Sequence, residues 1–296
     1  MNRHRWNSGL LYLTVITLLF SWALPTPASA DAVAGETVVT LGHDLNPQQK
    51  EQILQEMNVA SDVETITITN QEEHRYLGKY LNRATIGNRA LSSAKITLAK
   101  QGSGIKVKTN NITTITEQMY ANALTTAGVT DAEVYVTAPM QVSGTAGLTG
   151  ILKAFETAAD QNISEEQKQV ANEEMVRTSE LGEKLGDNEK ASQFMTEVKE
   201  KIADKKPESK EQVRDIIVNV AGDLNINLNN QEIDNVTNVM YKFSQLDIDW
   251  DQFSNQLEKL KGNLDQIVDS KEAQGFFDKL WAWISDLFNS LKNIFS

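Results

Sequence analysis

One feature limits the folds open to this chain more than any other: its hydrophobic periodicity changes near residue 160. Before that point, runs alternating at period two are interleaved with runs at helical spacing; after it, only helical spacing remains. Thr37–Leu41 is a β-branched run closed by Gly42. Asn46 and Pro47 form a cap and first-turn pair that opens a helix over Gln48–Met57. Val63–Thr69 alternates as a strand, and Gln71–Leu81 reads as a second helix with Glu72, Glu73 and His74 on a solvated face. Ser93–Ala99 and Ile105–Thr109 flank Gln101-Gly102-Ser103-Gly104, which predicts a hairpin. Thr114 with Glu117 forms a capping box for a helix ended by Gly128. Ala132–Thr137 is a further strand, and Leu148–Phe155 opens the next helix.

This order predicts an α+β chain: a mixed sheet with packed helices (α/β-like), then an all-helical region. The later helical patterns run over 164–184, 188–204, 208–222, 230–245 and 251–268, with one more from 271 onward. Asn229 with Glu232 is a capping box, and Pro207 marks a helix start. Glu165–Lys206 is charge-rich and thinly apolar, so it reads as an exposed helix pair or a flexible connector. The expected organisation is a signal peptide over 1–30, an α/β domain over 31–160, a helical region over 161–270 and an amphipathic helix over 271–296.

Residues 1–30 carry their own message. Arg3 and Arg5 precede an uncharged apolar run, Gly9–Leu24, and the small, breaker-rich segment Pro25–Ala30 follows. That order predicts a signal peptide cut after Ala30, because the apolar run is short for a membrane span and lacks a basic stop. With 0 Cys in the chain, neither lipid attachment at a cysteine nor a disulfide is available. The signal holds Arg3 and Arg5 and no acid, so 26 basic and 40 acidic residues remain, a formal charge of −14. Such a surface argues against nucleic acid or anionic lipid as the main partner.

Six segments then carry a resemblance: TVVTLGHDLNPQQKEQIL, YLGKYL, IGNRALSSAKI, GSGIKVKTNNIT, TEQMYANALTTAGVTDAEVYVTAP and VSGTAGLTGILKA. In this order and spacing, over about residues 36–160, the chain resembles the YpuA-like exported proteins of Gram-positive bacteria, a family of unknown function. The resemblance implies export and an envelope-side or extracellular location. It brings no catalytic residues.

The residues themselves offer few centres for chemistry. No H-E-x-x-H, G-x-S-x-G, Walker-type or G-x-G-x-x-G motif occurs, and only His43 and His74 remain after cleavage. No catalytic residue, cofactor or metal is therefore expected. The candidate ligand site is a cleft between the loops at 42–44 and 139–145, with His43, Asp44, Ser143, Gly144 and Thr145. If the strands ahead of these loops are parallel neighbours, both loops lie at one carboxyl edge of the sheet. Free N–H groups at 143–145 would then hold an anion, or His43 would serve as base to Ser143 in a hydrolase. The plainer reading has Ser143 or Thr145 capping a helix. Asp247, Asp249, Asp251 and Glu258 imitate a calcium loop, but Gln252 stands where that loop needs Gly, so Asp251 reads better as an N-cap.

Six of the 20 aromatic residues fall in the last 21 positions. There, Phe277, Leu280, Trp281, Ile284, Leu287, Phe288, Leu291 and Phe295 recur on one helical face. That face is expected to dock on the chain's own helices, on a protein partner, or in the plane of a membrane surface. The expectation for the whole chain is an exported envelope protein, non-enzymatic, that recognises a protein partner. The alternative is an extracellular small-ligand or anion-binding protein, or hydrolase, using the cleft at 42–44 and 139–145.

Overall fold

The computed structural model describes residues 34–268. The segments expected to be the signal peptide and the C-terminal amphipathic helix lie outside these residues. Within them, strand β1 (Thr37–Gly42) leads to helix α1 (Pro47–Glu56). Asn46 and Gln49 form its capping box and Pro47 supplies its first turn. Strand β2 (Glu64–Ile68), helix α2 (Asn70–Leu77) and the short helix α3 (Arg83–Ile86) follow. Next come β3 (Ser93–Leu98), β4 (Ile105–Ile112), α4 (Glu117–Thr126) and β5 (Ala132–Val142). Helix α4 is capped by Thr116 rather than Thr114, and Glu117 instead accepts a hydrogen bond from the Thr109 amide (2.9 Å). Then α5 (Gly147–Ala159), α6 (Glu165–Leu185), α7 (Asn188–Lys205), α8 (Lys210–Asp223), α9 (Asn230–Ser244) and α10 (Trp250–Val268) complete the described chain. The α9 cap is the box expected at Asn229 and Glu232.

The five strands form one mixed sheet in the order β2-β1-β3-β5-β4. β1 pairs in parallel with β2, and β4 in parallel with β5; β3 is antiparallel to both β1 and β5. The hairpin expected between β3 and β4 does not form, because β5 is inserted between them. The reason lies in the side chains. Ala132, Val134 and Val136 bury one face of β5 against Ile96 and Val107, which places β5 in the apolar interior rather than at an edge.

Strand alternation gives the sheet two unlike faces. Val38, Ala94, Ile96, Val134 and Val107 point towards α4 and α5. On the other face, Val39 and Leu41 pack beneath Ile53 of α1 and Met57, its C-cap, forming a small separate cluster.

The first face belongs to a core that continues far past residue 160. Tyr120 and Leu124 of α4, Met175 of α6, Phe194 of α7 and Phe243 of α9 belong to one hydrophobic cluster. The change at residue 160 is therefore a change of element type, not a boundary between cores, and the described residues form one compact unit. Glu165–Lys206 is neither an exposed pair nor a connector. Val170, Met175, Phe194, Val198 and Ile202 are buried there, under a charged outer surface that hides them in composition. No helix among the described residues is long and apolar enough to cross a membrane.

Candidate functional site

The two loops expected to share a cleft are held apart. β3 lies between β1 and β5, so two strand spacings, about 10 Å, separate their chain axes. Each loop also has its own structural task. Asp44 and Ala90 exchange backbone and side-chain hydrogen bonds (3.1 and 2.8 Å), and the Ala90 amide holds the Asp44 carboxyl below its ordinary range. The exposed His43 ring reaches only Asp44, at 3.3 Å. The Ser143 carbonyl accepts the amides of Thr114 and Ile115, and the Gly144 carbonyl accepts the buried Tyr120 hydroxyl. Gly144 has φ +89°, and a Cβ there would strike Ile112 and Tyr120. Thr145 is buried, its hydroxyl 3.3 Å from that of Ser143. Neither residue caps α5, whose N-cap is Ala146 without a side-chain bond. The Gly147 amide is already bonded to the Gly144 carbonyl (2.9 Å).

The calcium-like segment is also explained locally. Asp249, not Asp251, caps α10, accepting the amides of Asp251 and Gln252 (3.0 and 2.9 Å). Among the described residues no group of three or more metal-ligating side chains converges. The expected docking face, Phe277 to Phe295, lies outside the described residues.

Two other places carry more chemistry than the sequence reveals, and α2 stands between them. Its N-terminus is a capping box of Thr69 and Glu72. One residue on, Glu73 is only 1 % exposed, although its neighbours suggest a solvated face. Burial raises its pKa to about 7, with Asp44 and Glu72 adding to the rise and the Asn70 amide (2.9 Å) opposing it.

On its other side, α2 meets α5 and α6 around a cleft of about 230 Å³. Three ion pairs close a ring around it: Lys153 to Glu72 (2.6 Å), Lys168 to Glu156 (2.8 Å) and Arg75 to Glu165 (2.9 Å). Each pair joins a different two of the three helices. Tyr76 donates to Glu165 (3.2 Å), and the Arg75 guanidinium lies 5.6 Å over its ring. Thr149 of α5 and Asn172 of α6 line the same cleft.

A second concavity, about 520 Å³, lies on the second face of the sheet, where α1 stops short of β4. Cross-strand register places Thr97, Glu133 and Lys106 in one row and Lys95, Tyr135 and Lys108 in the next. Glu56, at the end of α1, accepts from Asn110, Tyr135 and Thr137, each at 2.8 Å. Burial pushes its pKa up, but these three hydrogen bonds outweigh it and hold the carboxyl below its usual value. Lys95 donates to the Met57 carbonyl (2.6 Å). Lys106 and Lys108 are exposed, and among the described residues neither has a carboxylate within 4 Å.

The fold and its clefts thus define an α+β protein whose sheet is helix-covered on one face and half open on the other. The chain belongs to the family described as "Protein of unknown function (DUF1002)", which matches residues 41–260. It is 45 % identical over 288 residues to "Uncharacterized protein YpuA" of Bacillus subtilis (strain 168), covering 97 % of this chain and 98 % of that protein. No solved structure matches the chain.

Proposed function

We propose that this chain is an exported protein of the cell envelope or extracellular space that recognises a protein partner without catalysing a reaction. The observation that carries the reading is the open half of the sheet. One face is packed against α4 and α5, while the face over β3, β5 and β4 keeps two ordered rows of polar side chains that, among the described residues, only the end of α1 reaches, at Glu56 and Met57. Lys106 and Lys108 give that face local positive charge on an otherwise acidic chain, so it complements a carboxylate-bearing protein surface. The separation of His43 from Ser143 by β3 weighs against the hydrolase alternative, because general-base work needs hydrogen-bond reach. Export rests on residues 1–30, and the aromatic face of 277–295 is a second means of retention, on a partner or a membrane surface.

The test is fractionation of cells expressing the full chain. N-terminal sequencing of the envelope form is expected to begin at Asp31, and a protein retaining Met1 would refute export by cleavage. The pair K106E/K108E is expected to release the protein into the medium. If only deletion of 271–296 releases it, the terminal helix holds the protein and the sheet face is not the docking surface.

A further inference from the structure

We infer that the cleft enclosed by α2, α5 and α6 is a binding site for a small uncharged polyhydroxylated molecule of the monosaccharide class. The argument begins with atoms that lack partners. Among the described residues, six buried side-chain polar atoms have no aligned hydrogen bond, and two of them belong to residues lining this cleft: Thr149 Oγ1 and Asn172 Oδ1. Thr149 is 5 % exposed and Asn172 0 %. A buried polar atom without a partner carries a desolvation penalty, so two on one cleft call for an explanation. The Asn172 amide cannot be turned to remove the defect, because its Nδ2 donates to the Lys168 carbonyl at 2.7 Å. Oδ1 is therefore an acceptor that requires an N–H or O–H from elsewhere.

The walls narrow the ligand further. Three cations and three carboxylates are already matched in the closed ring, so a ligand with net charge would leave one member uncompensated. A ligand whose hydroxyls both donate and accept can join the ring without breaking it. It can reach the Lys, Arg and Tyr donors and the Glu acceptors at the rim and, with a small shift of the wall, donate a hydrogen bond to the covered Asn172 Oδ1 below. Leu152 and the ring of Tyr76 supply the apolar wall that the C–H face of such a molecule requires. The volume, about 230 Å³, is several times the ~30 Å³ share of one water, so one bridging water does not fill it.

The site is independent of the open sheet face, and the two readings fail separately. Calorimetric titration of the mature chain, residues 31–296, with glucose, ribose and myo-inositol is expected to give saturable binding of at least one. Glycine and inorganic phosphate should give none. Thr149→Val and Asn172→Leu are each expected to weaken binding about ten-fold or more, by removal of one buried hydrogen bond. Thr149→Val should leave the unliganded unfolding temperature unchanged or raised, since it removes an unpaired polar atom, whereas Asn172→Leu also gives up the bond to the Lys168 carbonyl and is expected to lower it by a few degrees at most. Tyr76→Ala, on the half-exposed rim, provides a variant whose folding is not at issue and should also weaken binding. Binding of glycine or phosphate in place of the polyols, binding of none of these probes, or polyol binding untouched by all three substitutions would overturn the assignment.

Discussion

Glu73, near the sheet edge, and Glu174, at the junction of α4, α6 and α7, are both carboxylates removed from water, yet their surroundings are opposite. Glu174 is 0 % exposed and lies 2.8 Å from the Lys199 ammonium, itself 0 % exposed. That contact is an ion pair rather than an aligned hydrogen bond, but its neighbours complete the network. Thr126 donates to Glu174, and Lys199 donates to the Asn122 carbonyl (2.8 Å) and to Thr126 (3.2 Å). The rings of Phe243 and Phe253 lie 6.0 and 5.8 Å from the ammonium. Burial pulls the Lys199 pKa down, and Glu174 opposes that. Among the described residues Glu73 has no cation; it has Asn70 for a partner and Asp44 and Glu72 as like charges. A buried acid with a counter-charge is part of the scaffold. One without it holds its proton near neutral pH and makes local stability depend on pH.

That contrast can be broken in three ways. Lys199→Met leaves Glu174 buried without its cation and is expected to destabilise the protein by about 3–5 kcal/mol at neutral pH in urea unfolding. Replacing both partners, K199M/E174L, should recover most of that loss. A single substitution costing under about 1 kcal/mol would show that the pair does not hold the junction.

The next effect concerns Glu73. Its folded pKa, about 7, lies above the ordinary 4.5, so the folded state binds the extra proton between those values. Stability is greatest below pH 4.5, falls as pH rises towards 7, and is flat beyond it. Glu73→Gln should therefore match the wild type near pH 4.5 and exceed it by about 3 kcal/mol above pH 7. Parallel pH profiles of the two proteins would contradict the assignment.

The smallest effect is expected where charges stay in water. Arg214 and Asp234 pair between α8 and α9 with both side chains largely exposed, and Arg214→Gln should change stability by less than about 1 kcal/mol at physiological salt. A larger loss would mean that exposed pairs also hold this molecule together.

The fold was far more legible in the chain than its buried charges. β-branched runs, alternation and turn residues located all five strands, and caps such as Asn46, Asn229 and Gly128 marked helix ends, because those signals act within a few residues. Strand order was not legible. Nothing local in Ala132–Thr137 says that it will enter between β3 and β4 rather than beside a sequence neighbour. Glu73 in Gln-Glu-Glu-His-Arg and Lys199 in Glu-Val-Lys-Glu-Lys sit in polar surroundings along the chain, and their burial comes from distant elements. The expected site failed for the same reason: His43 and Ser143 were brought together by an assumed neighbourhood of strands. The cleft between α2, α5 and α6 draws on three helices, and Thr149 beside Leu and Gly reads as ordinary helix filler.

The junction around Lys199 also sets an order of assembly. Asn122 and Thr126 wait on α4 for contacts that arrive 70 to 77 residues later, from Ser192, Thr196 and Lys199. A chain emerging from its N-terminus can pair the five strands as soon as β5 is available. It cannot finish the polar junction behind α4 until α7 has followed. Such distant closures slow folding and prolong the lifetime of partly formed states. If the chain is exported unfolded, as proposed, that delay keeps the first half pliable until the second half has passed through.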